Sequence, residues 1–217
     1  VLTMRFLLAA LGAQARERVL WDADGLFTLN PKEKQVERAD FNDAKWRRLT
    51  LPHDWAVEGS FSASKASGAG GGALPGGMGW YRKHFKVLPG EKYDKYFIEF
   101  DGVYMNSSVY INGHLLGTRP YGYSSFEYDL TPYLNRNGDN VIAVKVDNTD
   151  QPNSRWYSGC GIYRHVWLTK TAEVHVAHWG THVQPTVEGK RGRVNVTVTV
   201  AAEASSVGKR ITVRNTL

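Results

Sequence analysis

Between Trp80 and Leu168 the apolar residues recur at every second position in short runs, and each run is closed by turn-forming residues after about ten positions. Side chains on a strand point alternately to the two faces of a sheet, so such a run buries one face and wets the other. A helix would need apolar spacings of three and four. Tyr81, Lys83, Phe85 and Val87 alternate with Arg82, His84 and Lys86, and Tyr96, Ile98 and Phe100 share a face of the next run, which makes both strands half-buried. Asn112-Gly113 tolerates the positive φ of a type I′ turn, so a hairpin turns there. Phe126, Tyr128 and Leu130 lead into Thr131-Pro132-Tyr133-Leu134, where Thr131 caps and Pro132 begins a short helical turn. Ile142, Val144 and Val146 form one further strand and Ile162 to Leu168 another. Helical periodicity is nearly absent, and the chain reads as all-β, a sandwich or barrel of short strands.

The texture changes along the chain. Ser60 to Gly79 is rich in glycine, serine and alanine, and a structureless stretch of that length is usually a functional loop or a linker. It lacks the Lys-Ser/Thr pair and the following helix of a phosphate-binding loop. Beyond Leu168 a new unit begins near Thr171, in which Val194, Val196, Val198 and Val200 alternate with Asn195, Thr197 and Thr199. About 45 residues remain there, less than half of the roughly 100 of an immunoglobulin-like sandwich, so this second unit is expected to be cut short. Upstream, Met4-Arg5, the apolar run Phe6 to Gly12 and Ala13-Gln14-Ala15 have the form of an export signal; a disordered N-terminus over residues 1–15 fits equally well.

The net charge of +6 invites a nucleic-acid reading, but lysines and arginines occur singly or in pairs, without a basic helix or an RNA- or zinc-finger motif. No nucleic-acid partner is expected. No apolar run reaches the roughly 18 residues of a membrane span, so no membrane partner is expected either. The single cysteine, Cys160, excludes an intrachain disulfide and a cysteine-based metal site, and the seven histidines show no metal spacing. Neither a metal nor a cofactor is expected. His53 and Asp54 are neighbours, yet adjacent residues of an extended segment point apart and no Gly-x-Ser-x-Gly elbow accompanies them.

Six stretches, in order over about 140 residues, carry a resemblance. They are Leu51-Pro52-His53-Asp54-Trp55 with Glu58-Gly59, Pro75 to Lys83, Phe100 to Ser107, Asn112-Gly113 with Gly117, Pro120 to Phe126, and Arg155-Trp156-Tyr157-Ser158-Gly159-Cys160-Gly161-Ile162-Tyr163-Arg164. Together they resemble glycoside hydrolase family 2, in particular its β-galactosidase-like members. One departure is the opening strand, where the family commonly carries Trp-x-Phe and this chain reads Gly25-Leu26-Phe27. The resemblance implies a jelly-roll, galactose-binding-like sandwich over residues 16–170, followed over residues 171–217 by an incomplete immunoglobulin-like domain. It also implies a catalytic TIM barrel that lies later in such enzymes and is expected in cis. There two carboxylates about 5 to 5.5 Å apart would serve as acid/base and nucleophile of a retaining hydrolysis. No catalytic residue is assigned to this chain, which alone is expected to be inactive.

The resemblance further implies a carbohydrate partner, a β-galactoside-like substrate of the full-length enzyme, and places Asn106 at its hydroxyls. An amide offers a donor and an acceptor to a group that is itself both. Asn106 closing a turn is the plainer alternative. Arg155 and Trp156, a guanidinium beside an aromatic face, are the other candidate substrate-binding residues, with a packing role as the alternative. A freestanding carbohydrate-binding module and a sandwich without ligand remain as different readings of the whole chain. The location is periplasmic or secreted if the N-terminal signal operates, and cytoplasmic otherwise.

Overall fold

The computed structural model describes residues 16–216, so the reading of residues 1–15 lies outside the described part. Contacts divide the chain into two compact units. One comprises residues 18–91 and 96–169; the other holds described residues 16–17, 92–95 and 170–216. No helix among the described residues is long and apolar enough to cross a membrane.

The larger unit is a sandwich of two sheets. The six-stranded sheet is built from β2 (Gly25–Leu29), β3 (Arg47–Leu49), β4 (Gly77–Lys86), β6 (Ser107–Ile111), β7 (His114–Arg119) and β9 (Asp139–Asn148), in the order β3-β2-β4-β9-β6-β7. The four-stranded sheet has the order β1-β10-β5-β8, from β1 (Arg16–Leu20), β5 (Lys95–Phe100), β8 (Phe126–Asp129) and β10 (Val166–Thr171). Phe27, Tyr81, Ile98, Phe100, Val109 and Val144 are buried among the inward-facing residues, as the period of two requires. A small apolar cavity of about 40 Å³ remains between the sheets, lined by Leu49, Ile98, Phe100, Ile142 and Val166 among others.

The Asn112-Gly113 hairpin forms as expected, with φ of 51° and 85° at its two central residues. Tyr96, Ile98 and Phe100 are all buried, and the opening strand β2 buries Phe27 through the Gly25-Leu26-Phe27 register. Other expectations are corrected. Strand β4 is not half-buried around Arg82: Trp80, Tyr81 and Arg82 are all inside, because residues 30–46 lie across the outer face of the sheet. There Val36, Trp80 and Ala143 form a second small core with Phe41, Trp46, Met78 and Tyr110. The Arg82 guanidinium pins that covering segment, donating to Asp43 Oδ2 (2.6 Å) and to the carbonyls of Val36 (2.6 Å) and Arg38 (2.9 Å). Thr131 does not cap its turn; Leu130 is the cap residue, and the Thr131 hydroxyl accepts the Tyr96 N–H at 3.0 Å. The strand expected from Ile162 starts only at Val166, since Gly159 and Gly161 at φ of 75° and 127° bend the chain and Ile162 offers its carbonyl to His53.

The Ser60 to Gly79 stretch is no linker, since it lies within one unit. Residues 62–74 wind into successive tight turns closed by their own backbone bonds, and Gly77 already belongs to β4. The smaller unit carries an antiparallel ribbon of β11 (His175–Glu188) and β12 (Arg191–Ala201), with Val183 opposite Val196. A bulge between Val176 and Thr181 brings Trp179 to a φ of 49°.

Candidate sugar-facing rim of the sandwich

Antiparallel pairing decides which loops share an end. Gly77 opposes Asn148 and Ser107 opposes Arg119. The loop before β4, the loop between β5 and β6, the loop between β7 and β8 and the loop after β9 therefore gather at one end of the sheet. The Asn112-Gly113 turn lies at the opposite end.

Two of these loops are tied together by Asp54. Its Oδ1 accepts the N–H groups of Ala56 (2.9 Å) and Cys160 (2.8 Å), and its Oδ2 accepts the Tyr157 hydroxyl. Gly159 has no alternative here, because a Cβ would sit 2.7 Å from Asp54 Oδ2 on a backbone already at φ 75°. Burial, reinforced by the bond to Asp54, holds the Tyr157 phenol well above its ordinary range. Backbone bonds from His53 N–H to the Ile162 carbonyl (2.8 Å) and from Trp55 N–H to the Cys160 carbonyl (3.1 Å) complete the junction. Trp55 is buried beneath it, its ring filling the space that a Cβ on Gly79 would enter.

His53 and Asp54 do not cooperate. His53 Nδ1 lies 2.8 Å from the Tyr81 hydroxyl and Nε2 lies 3.2 Å from Glu58, while Asp54 serves the other loop. Burial lowers the His53 pKa, with Glu58 opposing it. Cys160 is buried too, and burial pushes its thiol up to about 11. Such a thiol stays protonated near neutral pH and packs rather than reacts.

The structure brings the candidate residues to the same end. Asn106, at φ 47°, donates its backbone N–H to the Pro120 carbonyl (3.3 Å) and its side-chain amide to the Asp147 carbonyl (3.1 Å). The half-buried side chain thus closes a turn with its NH2 group. Trp156 is 60% exposed, and its indole N–H donates to the Tyr123 hydroxyl at 3.2 Å. Tyr104 links the remaining loops, with its hydroxyl on Asn153 Oδ1 (3.3 Å) and its ring 5.3 Å from that of Tyr123. Arg155 is exposed, and its backbone runs beside Gly70 of the glycine-rich loop.

Sequence reasoning missed Asp54, Tyr121, Tyr123 and Tyr157 as parts of this end. The available signal was the two tyrosines flanking Gly122 directly after Pro120, a turn composition that spends large aromatics outside any alternating run.

Comparison with known proteins agrees with this geometry. The family model described as glycosyl hydrolases family 2, sugar binding domain, matches residues 74–172, which include Asn106, Tyr121, Tyr123, Arg155 and Trp156. The chain belongs to glycoside hydrolase family 2. It is 55% identical over 203 residues to β-galactosidase BoGH2A of Bacteroides ovatus, an alignment covering 93% of this chain and 24% of that protein. A β-glucuronidase of Formosa agariphila is 36% identical over 68% of this chain and 16% of its own length. Among solved structures, a β-glycosidase from Bacteroides vulgatus superposes with a TM-score of 0.83 at 40% identity, covering 86% of this chain and 24% of that one. The chain thus spans about a quarter or less of the proteins it matches, and what it shares with them is the sugar-binding front of family-2 glycosidases.

Proposed function

We propose that this family-2 domain forms the side wall of the active site of a β-galactosidase-like, retaining glycosidase, with Asn106, Arg155 and Trp156 facing the sugar and a catalytic TIM barrel supplied in cis. The observation that carries the proposal is the meeting of the loops at 104–106, 120–123 and 153–157 at one end of the sandwich, with aromatic faces left exposed. Asn106 spends its NH2 group on Asp147, so its role toward a sugar is that of an acceptor through Oδ1. Arg155 supplies donors in a fork and Trp156 an apolar face, the combination that an amphipathic pyranose edge calls for. A β-galactoside is favoured over a glucuronide because the 55% identical relative bears the galactosidase name. No nucleic acid or membrane takes part in this reading. The location is the periplasm or the exterior if residues 1–15 act as an export signal, and the cytoplasm otherwise. A reporter fused after Ala15 and assayed in cell fractions decides between them.

The test of the site is steady-state kinetics on the complete enzyme. Asn106→Ala lowers kcat/KM on a nitrophenyl β-galactoside by about tenfold or more, each factor of ten being about 1.4 kcal/mol of transition-state stabilisation. Thermal unfolding is run beside it. Unchanged kinetics, or a loss matched by a large fall in stability, returns Asn106 to the role of a turn residue.

A further inference from the structure

The loop between β7 and β8 holds two tyrosines that nothing in the core requires. Tyr121 is 63% exposed and Tyr123 is 43% exposed, and Trp156 lies beside them. Exposing three large aromatic faces side by side is unfavourable in water unless something covers them, and such patches mark binding surfaces. These rings are also held in place. Gly122 sits so close to the Tyr104 ring that a Cβ there would collide with it, and the Gly122 carbonyl accepts the Tyr163 hydroxyl at 2.8 Å. Tyr123 packs edge-on against Tyr104 (5.3 Å, 62°) and against Tyr121 (5.6 Å, 65°), while its hydroxyl receives the Trp156 indole N–H.

Rings that meet near right angles make a corner, not a flat plate. A corner of this kind takes the apolar C–H face of one pyranose on one ring and its edge on the next, and the phenol hydroxyls lie within reach of the equatorial hydroxyl groups. Because the rings are fixed before binding, little side-chain entropy is lost when a sugar arrives. A protein partner is the poorer occupant, since every ring here ends in a polar hydroxyl or indole N–H that a buried apolar seam would have to satisfy.

We propose that Tyr121, Tyr123 and Trp156 form a subsite for a second pyranose, one that is not cleaved, so that the substrate is an oligosaccharide and not a simple glycoside. This rests on the sugar-wall reading above and adds a second position to it. Asn106 and Tyr121 flank the same Pro120 carbonyl bond, which places the two positions side by side.

The test uses the 217-residue chain and two probes, methyl β-galactoside and a β-linked galactotriose, followed by the NMR signals of the Trp156 indole N–H and the Asn106 amide. At about 10 mM probe, where weak sugar contacts register, the trisaccharide shifts the Trp156 signal and binds about tenfold more tightly than the monosaccharide. Tyr121→Ala removes that advantage and leaves the Asn106 response intact; so exposed a residue can be replaced without unfolding the chain. Tyr123→Phe, which keeps the ring and deletes the acceptor of the indole, weakens trisaccharide binding less than Tyr121→Ala does. Equal binding of the two probes, an absent Trp156 response, or an unaltered trisaccharide affinity in Tyr121→Ala overturns the subsite. An Asn106 response that survives such a result keeps the wall reading, and loss of both responses sinks the two together.

Discussion

At the scale of single residues, the junction between the Leu51-Pro52-His53-Asp54-Trp55 loop and the loop after β9 depends on a carboxylate with three donors. Asp54→Ala leaves two backbone N–H groups without their acceptor and costs about 2 to 3 kcal/mol. Asp54→Asn costs less, because an amide keeps one oxygen for those groups and its NH2 can donate to the Tyr157 hydroxyl. Urea unfolding of both variants checks the order. His53 gives the chain a pH response. Its pKa is lowered by burial, so the folded state disfavours the charged ring. Stability is therefore intact above the ordinary histidine value of 6.5 and declines as pH falls below it toward the folded-state pKa. Melting curves between about pH 7.5 and pH 5.5 show the decline in the native chain and a shallower one in His53→Gln. A parallel decline in both would assign the effect to other groups.

At the scale of elements, two connections behave differently. The hairpin between β6 and β7 is a local affair: Asn112-Gly113 supplies the two positive φ values, and Gly113→Ala at φ 85° costs about 1 to 2 kcal/mol. That turn was legible because its requirement is written in two adjacent residues. The segment at 30–46 was not, since what holds it is Arg82, some forty residues away, through Asp43 and two carbonyls. Burial acts to raise Asp43, yet the hydrogen bonds from Arg82 and His84 outweigh it and hold the carboxyl below its ordinary range. Arg82→Ala strands Asp43 without its main partner, with a loss of about 3 to 5 kcal/mol in chemical unfolding. Hydrogen exchange in that variant rises first in residues 30–46, ahead of β9. An alternating pattern marks Arg82 as the solvent side of β4; only the segment folded over it turns that side into a second core.

At the scale of the whole molecule, the purified chain is expected to show no turnover of a nitrophenyl β-galactoside, because no pair of its carboxylates can be assigned the acid/base and nucleophile roles. Turnover abolished by a single Asp or Glu substitution within these residues would overturn that expectation. The all-β class, the hairpin and the family were open to reading from the sequence by itself, because strand alternation, turn chemistry and ordered motifs are local properties that survive without coordinates. The rim was only partly open: Asn106, Arg155 and Trp156 stood out by motif, but nothing linear connects Trp156 to Tyr123, or Tyr157 to Asp54 across more than a hundred residues. Those pairings were decided by the tertiary structure, which brings together the ends of strands distant in the chain. The physical reason is that an antiparallel sandwich sorts its loops by strand direction, so residues far apart in sequence meet at one end while neighbours such as His53 and Asp54 are sent to different partners.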